Sequence, residues 1–134
     1  MSDYGIATTL HTDFADAVTR TLAALATQGF GVLTEIDVAA TMKTKLDIDM
    51  PAYLILGACN PPLAHQAITA DAAIGLLLPC NVVVRDLGDG KILVEAMNPD
   101  IMVSVTGNPE LEPVAARARE KLSAALSTLN DVTV

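Results

Sequence analysis

The sequence predicts an α+β fold: a two-layer sandwich of the β-α-β(4)-α type, with a largely antiparallel sheet and an extra helix between the central strands. Short apolar runs bounded by Gly, Pro or Asn alternate with segments of helical periodicity. In addition, Gly88-Asp89-Gly90 separates two apolar runs, and Asp-Gly is typical of a tight hairpin turn. A parallel Rossmann-type sheet is disfavoured, because no Gly-x-Gly-x-x-Gly turn follows the first predicted strand.

The first half of the chain predicts two strands and two helices. The strands are residues 4–8 and 30–37, and the helices are residues 14–28 and 38–46. Thr12 and Asp13 can cap the first helix, and Gly29 permits the left-handed residue that ends it. This helix has apolar residues at helical spacing, namely Phe14, Val18, Leu22 and Leu25. The second helix has a weaker apolar pattern.

The centre of the chain predicts a buried strand followed by a helix. Residues 51–58 form a short apolar run between breakers, which is typical of a buried strand. Asn60-Pro61 predicts a helix start, because Asn is a good cap and Pro needs no N–H partner at the first helical position. We expect this helix to fade near Gly75.

The second half of the chain predicts a hairpin and a long helix. Residues 80–87 and 92–94 are the two strands that the Asp-Gly turn joins, so we expect them to pair antiparallel. Asn98-Pro99 and Asn108-Pro109 repeat the cap-then-proline pattern of a helix start. An apolar stripe then marks the C-terminal helix: Leu111, Val114, Ala118, Leu122, Ala125 and Leu129.

Composition limits the domain count and the functional classes. The chain has 134 residues, of which 51% are hydrophobic, which fits one domain spanning residues 1–134. The net charge of -8 and the absence of Trp argue against DNA or RNA as partners, because nucleic-acid binding depends on cations and aromatic stacking. The N-terminus lacks the pattern of a secretory signal. No apolar run approaches the roughly 20 residues of a membrane span. We therefore expect a cytoplasmic protein.

Cys59 and Cys80 are the only cysteines, and each adjoins Asn and Pro. If their strands are antiparallel, the intervening helix returns to the same sheet edge and both thiols can line one pocket; parallel strands would separate them. Cys59 would also precede a helix N-terminus, where a thiolate is favoured and the pKa lowered. The plainer interpretation is that Asn60 is a helix cap and that the cysteines are small core residues.

Other titratable residues give weaker signals. His11 and His65 are the only histidines, and Cys59 with Cys80 lacks the paired spacing of zinc ribbons, so we expect no metal site. A second cluster could place the carboxylates of Glu35 and Asp37 beside the lysines of residues 43–45. Such sets are more often surface ion pairs.

A resemblance to a known family lies in five segments, namely residues 29–37, 42–46, 53–61, 78–84 and 98–99. With their Cys-Asn-Pro and Leu-Pro-Cys-Asn motifs, they closely resemble the family called domain of unknown function 302. The resemblance implies a sandwich similar to one repeat of the TATA-box-binding protein, and a homodimer, but no known activity. DNA binding does not follow from such a fold. The family motif marks Glu35, Asp37, Lys45, Tyr53, Cys59, Asn60, Pro61, Pro79, Cys80 and Asn81.

Three functional hypotheses follow, with the cofactor unknown in each. The first is a small binding or sensing domain whose pocket takes a small thiol-reactive or sulfur-containing ligand. Its candidate ligand-binding residues are Cys59, Asn60, Cys80, Asn81, Lys45 and Glu35. The second is a thiol-dependent enzyme for redox or sulfur transfer, with Cys59 as nucleophile, Cys80 as resolving thiol and Lys45 or His65 in support. The third is a structural or interaction protein without a ligand.

Overall fold

The computed structural model describes residues 3–129, in which five strands, five α-helices and two short 3₁₀-helices alternate. The strands are β1 (Gly5–His11), β2 (Gly31–Asp37), β3 (Tyr53–Cys59), β4 (Cys80–Gly88) and β5 (Lys91–Met97). The helices are α1 (Phe14–Thr27), α2 (Val38–Leu46), α3 (Pro61–Ala70), α4 (Asp100–Thr106) and α5 (Glu112–Leu129). The 3₁₀-helices are Ala72–Leu77 and Pro109–Leu111.

The strands form one sheet in the order β1-β5-β4-β3-β2, and every neighbouring pair is antiparallel. The predicted α+β class is therefore confirmed. The β4–β5 hairpin turns through three positive φ angles, at Gly88 (87°), Asp89 (57°) and Gly90 (76°), as the Asp-Gly signal predicts. The β3–β4 pair is the less local contact, since α3 and a 3₁₀-helix lie between its strands.

The main core lies between the sheet and helices α1 and α5, which also pack against each other. Alternate residues of the central strands face these helices, including Leu56, Val82, Val84 and Val94, none of which exposes any surface. A second, smaller core joins α3, α4 and α5 around Leu63, Met102 and Leu111. Leu78 contacts both cores, so the segment that leads into β4 is fixed from two sides.

The helix caps and element ends refine the expectations from the sequence. Asp13 caps α1, its carboxylate accepting a 2.7 Å hydrogen bond from the Asp16 N–H. The helix expected to fade near Gly75 ends as α3 at Ala70, because the Asp71 carboxylate accepts from the Ala73 N–H at 3.1 Å and starts a 3₁₀-helix.

The strand expected at residues 4–8 continues to His11, because each of its residues pairs with one of β5 as far as Lys91. Within residues 3–129, none of the helices combines the length and the apolarity that crossing a membrane requires.

Gly57 on β3 provides a test of this packing. An added Cβ would lie 2.9 Å from Cγ of the Pro79 ring and closer still to the Thr34 hydroxyl. We expect Gly57→Ala to lower the free energy of unfolding by about 1–3 kcal/mol, because a proline ring cannot rotate away. Urea denaturation would measure the change.

Gly31→Ala is the matched control, since a Cβ there meets no atom within 4 Å. We expect it to change stability by no more than about 0.5 kcal/mol. Equal denaturation midpoints for the two variants would contradict this account of the packing around Gly57.

Candidate functional site

The two cysteines lie at the same end of the sheet, on the neighbouring strands β3 and β4. Cys59 ends β3 and Cys80 begins β4, and the antiparallel register places Ala58 directly opposite Cys80. Both cysteines line a single cavity, here called the thiol cavity. Its other lining residues are Phe30, Ala58, Asn60, Leu63, Ala64, Ala67, Leu78, Pro79, Met102, Val114 and Ala118. The cavity thus lies where the main core meets the smaller one.

The thiol cavity is small and apolar. Its volume is about 40 Å³, which is room for about three water molecules. Apart from the two thiols, Asn60 is the only residue with a polar side chain among the described residues that line the cavity. Any occupant must therefore be a molecule of a few heavy atoms, held by sulfur and apolar contacts.

Asn60 is buried, with 8% of its surface exposed, and both functions of its amide are used by the fold. The side-chain oxygen accepts a 3.4 Å hydrogen bond from the Leu63 N–H and caps α3. The side-chain nitrogen donates to the Gln28 carbonyl at the end of α1, at 3.2 Å. Asn60 thus links two helix termini. Its role is structural, because both ends of its amide are bonded to the backbone and not left for a ligand.

The start of α3 leaves few N–H groups for a thiolate. Pro61 and Pro62 have no N–H to donate. The next two N–H groups donate to Asn60, from Leu63 to its side chain and from Ala64 to its backbone carbonyl at 2.9 Å. The donors that the sequence suggested for a Cys59 thiolate are therefore absent or already in use.

The two thiols differ in their surroundings. Cys80 is 6% exposed, whereas Cys59 is partly exposed. Burial, with a smaller contribution from the neighbouring Cys59, raises the pKa of Cys80 from its ordinary 9.0 to about 11. At neutral pH Cys80 is thus a protonated thiol and a weak nucleophile.

The structure does not bring the other candidate residues to the thiol cavity. Asn81 follows Cys80 along β4, is exposed, and lines a depression with Tyr53 and Arg85. Because side chains alternate along a strand, it lies on the opposite face of the sheet. Glu35 and Lys45 are exposed, and neither lines the cavity.

The histidines and the acidic cluster also lie elsewhere. His65 is exposed on α3 and does not line the cavity. Asp37 caps α2, accepting from the Ala40 N–H at 2.8 Å. The ion-pair partners of Lys43 are Asp47 and the nearby Asp49, at 2.9 and 3.2 Å. In the described residues, His, Cys, Asp and Glu form no group of three or more that could hold a metal.

The fold and the site define a class of protein, an antiparallel α+β sandwich with two cysteines at the same end of two neighbouring strands. More particularly, the chain belongs to the family described as "Domain of unknown function DUF302", whose model matches residues 6–129. It is also similar to a solved structure, an uncharacterized conserved DUF302 protein from Bacillus stearothermophilus. That similarity covers 96% of this chain and 99% of the other at 26% identity, with a TM-score of 0.87. No curated protein matches the chain, and the description of the family names no activity.

The double role of Asn60 leads to a stability prediction. We expect Asn60→Ala to lower the free energy of unfolding by about 2 kcal/mol, because it removes a helix cap and leaves the Gln28 carbonyl without its side-chain donor. Asn108→Ala is the control, since that side chain caps only a 3₁₀-helix, through Glu110. We expect about half the loss there. Equal losses in urea denaturation would show that the link to α1 contributes nothing.

The raised pKa of Cys80 predicts how stability depends on pH. Above pH 9 an unfolded thiol loses its proton, while the folded one keeps it to about pH 11. The Cys80 thiol should therefore not change the free energy of unfolding below pH 9. As the pH rises from 9 to about 11, the free energy of unfolding should fall by roughly 2–3 kcal/mol, because only the unfolded chain loses the proton. Urea denaturation in reductant from pH 8 to 10.5 would compare the chain with Cys80→Ala. Parallel pH profiles would contradict the prediction.

Proposed function

We propose that this chain is a small binding or sensing domain, in which Cys59 and Cys80 present their thiols to a small thiol-reactive or sulfur-containing molecule. The observation that supports this function is that both cysteines of the chain line one cavity. The family match neither adds nor excludes an activity.

The chemistry of the cavity narrows the ligand class. The Asn60 amide is already engaged at both ends, so hydrogen bonding contributes little to recognition. Small size and apolar walls favour a compact, uncharged molecule, because a charge in an apolar site without a partner is costly. A low-mass thiol, sulfide or soft electrophile meets both conditions. Larger metabolites exceed the available volume of about 40 Å³.

The two thiols have different parts in this proposal. Cys59 is partly exposed and forms the reactive mouth of the cavity. Cys80 remains protonated at neutral pH, because burial raises its pKa to about 11, and contacts the ligand as a polarizable group. The proposed site does not include Glu35, Lys45 or Asn81, because none of them lines the thiol cavity.

Alkylation of the folded protein tests the proposal. With iodoacetamide at pH 7.5, we expect one thioether at Cys59 and none at Cys80 until the protein is denatured. Cys59→Ser should abolish the native label, and Cys80→Ser should keep it. Mass spectrometry of peptides from the treated protein locates the label. Two thiols that react only after denaturation would exclude a cavity that ligands can enter.

A cavity-filling variant sharpens this test. Ala64 lines the cavity and is partly exposed, so Ala64→Leu should slow alkylation of Cys59 by about tenfold, by blocking access. His65→Leu is the matched control on the same helix, because His65 is exposed and does not line the cavity. Equal slowing by both variants would show that the cavity does not control access.

The thiol-dependent enzyme is the second candidate, and the nearness of the thiols favours it, since Cys59 contributes to the raised pKa of Cys80. The register opposes a disulfide, because the residue opposite Cys80 is Ala58. Mild peroxide separates the two functions: a loss of two hydrogens supports a redox pair, and sulfinic acid on Cys59 alone counts against it.

The structural or interaction protein is the third candidate, and the full use of Asn60 by the fold favours it. It requires Cys59→Ala and Cys80→Ala to change only the stability of the protein and no binding or activity.

The homodimer stays a prediction, supported by edge strand β2, where Leu33 and Ile36 are 69% and 49% exposed. The cytoplasmic location of the protein and the similarity of its fold to a TATA-box-binding-protein repeat stay predictions as well.

A further inference from the structure

A second concave region lies across β3, β4 and β5, on the sheet face away from the thiol cavity. Arg85 on β4 is directly opposite Tyr53 on β3 and Leu93 on β5. Glu95 is opposite Val83, two residues along β4 from Arg85. Because side chains alternate along each strand, these residues share one face of the sheet.

Two adjoining depressions occupy this face, with volumes of about 580 and 260 Å³. Four residues line both depressions, which together are called the tyrosine groove: Tyr4, Tyr53, Arg85 and Glu95. Small-molecule sites in proteins span roughly 300–1,000 Å³, so the groove has the size that the thiol cavity lacks. It also holds both tyrosines of the chain, in a protein with few aromatic residues.

Arg85 supplies a cation to the groove. Within residues 3–129, its guanidinium has no ion-pair or hydrogen-bond partner, whereas Arg20 and Arg119 are ion-paired and Arg117 donates to Gln66. A guanidinium offers a planar fork of donors that matches a carboxylate. The open side of Arg85 is therefore suited to a carboxylate of a bound molecule.

Two acidic residues line the larger depression together with this cation. Glu95 is the diagonal neighbour of Arg85 across the β4–β5 pair, a spacing of roughly 7–8 Å, and Glu95 already has an interaction partner. The Glu95 carboxylate lies where a Cβ of Gly5 would be, so the glycine leaves room for it above β1. Asp86 also lines the larger depression.

We propose that the tyrosine groove binds a small amino carboxylate, an amino acid or a close analogue with an apolar side chain. The ligand carboxylate pairs with Arg85, its ammonium with Glu95, and its side chain lies over Val83 beside the tyrosine rings. A carboxylate has about four acceptor sites, so Glu95 can take the ammonium in addition to another partner.

The balance of charge selects a zwitterion over an anion. Among the described residues 3–129, one cation and two carboxylates line the larger depression, and the whole chain has a net charge of -8. A phosphate or a dicarboxylate would be repelled by this field, whereas a molecule with one charge of each sign finds a partner for both. The site is independent of the thiol cavity, which lies on the other face.

The test is a titration of the ¹⁵N-labelled protein with L-phenylalanine, followed by amide chemical shifts. We expect shifts confined to the strand residues around Arg85 and Glu95. N-acetyl-phenylalanine and phenylalanine methyl ester, which each lack one charge, should bind about tenfold more weakly or worse. An unchanged spectrum at the highest soluble concentration of phenylalanine would overturn the proposal.

Variants assign the two ends of the ligand. Arg85→Gln and Arg85→Lys should both weaken binding about tenfold or more. Lysine keeps the positive charge but lacks the planar pair of N–H donors with which a guanidinium binds a carboxylate. Arg117→Gln, on α5 and exposed, is the control and should bind normally. Gly5→Ala should displace the Glu95 carboxylate and abolish the preference for phenylalanine over 3-phenylpropionate. A folded Arg85→Gln or Arg85→Lys that binds like the parent chain, or retained preference in Gly5→Ala, would refute the assignment.

Discussion

The antiparallel pairing of β3 with β4 is the constraint on which the rest of the structure depends. Its register, with Ala58 opposite Cys80, brings the end of one strand beside the start of the next, so that both cysteines line one cavity. The same register sets Tyr53 opposite Arg85 on the other face. A shift of the β3–β4 register by one residue would move every side chain of the shifted strand to the opposite face of the sheet. One pairing therefore positions both the thiol cavity and the tyrosine groove.

Asn60 shows how the fold limits the chemistry beside the cysteines. Its amide caps α3 and also holds the end of α1, while Pro61 and Pro62 remove two of the N–H groups that a helix terminus usually offers. A polar residue next to a cysteine thus serves the backbone rather than a ligand. What remains in the cavity is sulfur and hydrocarbon, which is the reason why the ligand proposed for it is compact and uncharged.

The two faces of the sheet offer contrasting environments. On one face, helices exclude water and raise the pKa of Cys80 by burial. On the other, charged and phenolic side chains line an open groove. The similarity to the Bacillus stearothermophilus structure, with a TM-score of 0.87 at 26% identity, shows that this backbone accommodates many different side chains. The fold alone is therefore a weak guide to the function of any one member.

The sequence by itself determined the elements whose causes are local. The Asp-Gly hairpin depends on positive φ angles, and the Asn-Pro steps depend on the satisfaction of the first N–H groups of a helix or 3₁₀-helix. Only the tertiary structure decided that Glu35 and Lys45 lie outside the thiol cavity, and that Tyr53 lies opposite Arg85 in the groove. Those placements depend on the register between strands distant in the chain, which is set by burial of one whole face of the sheet and not by any short run of residues.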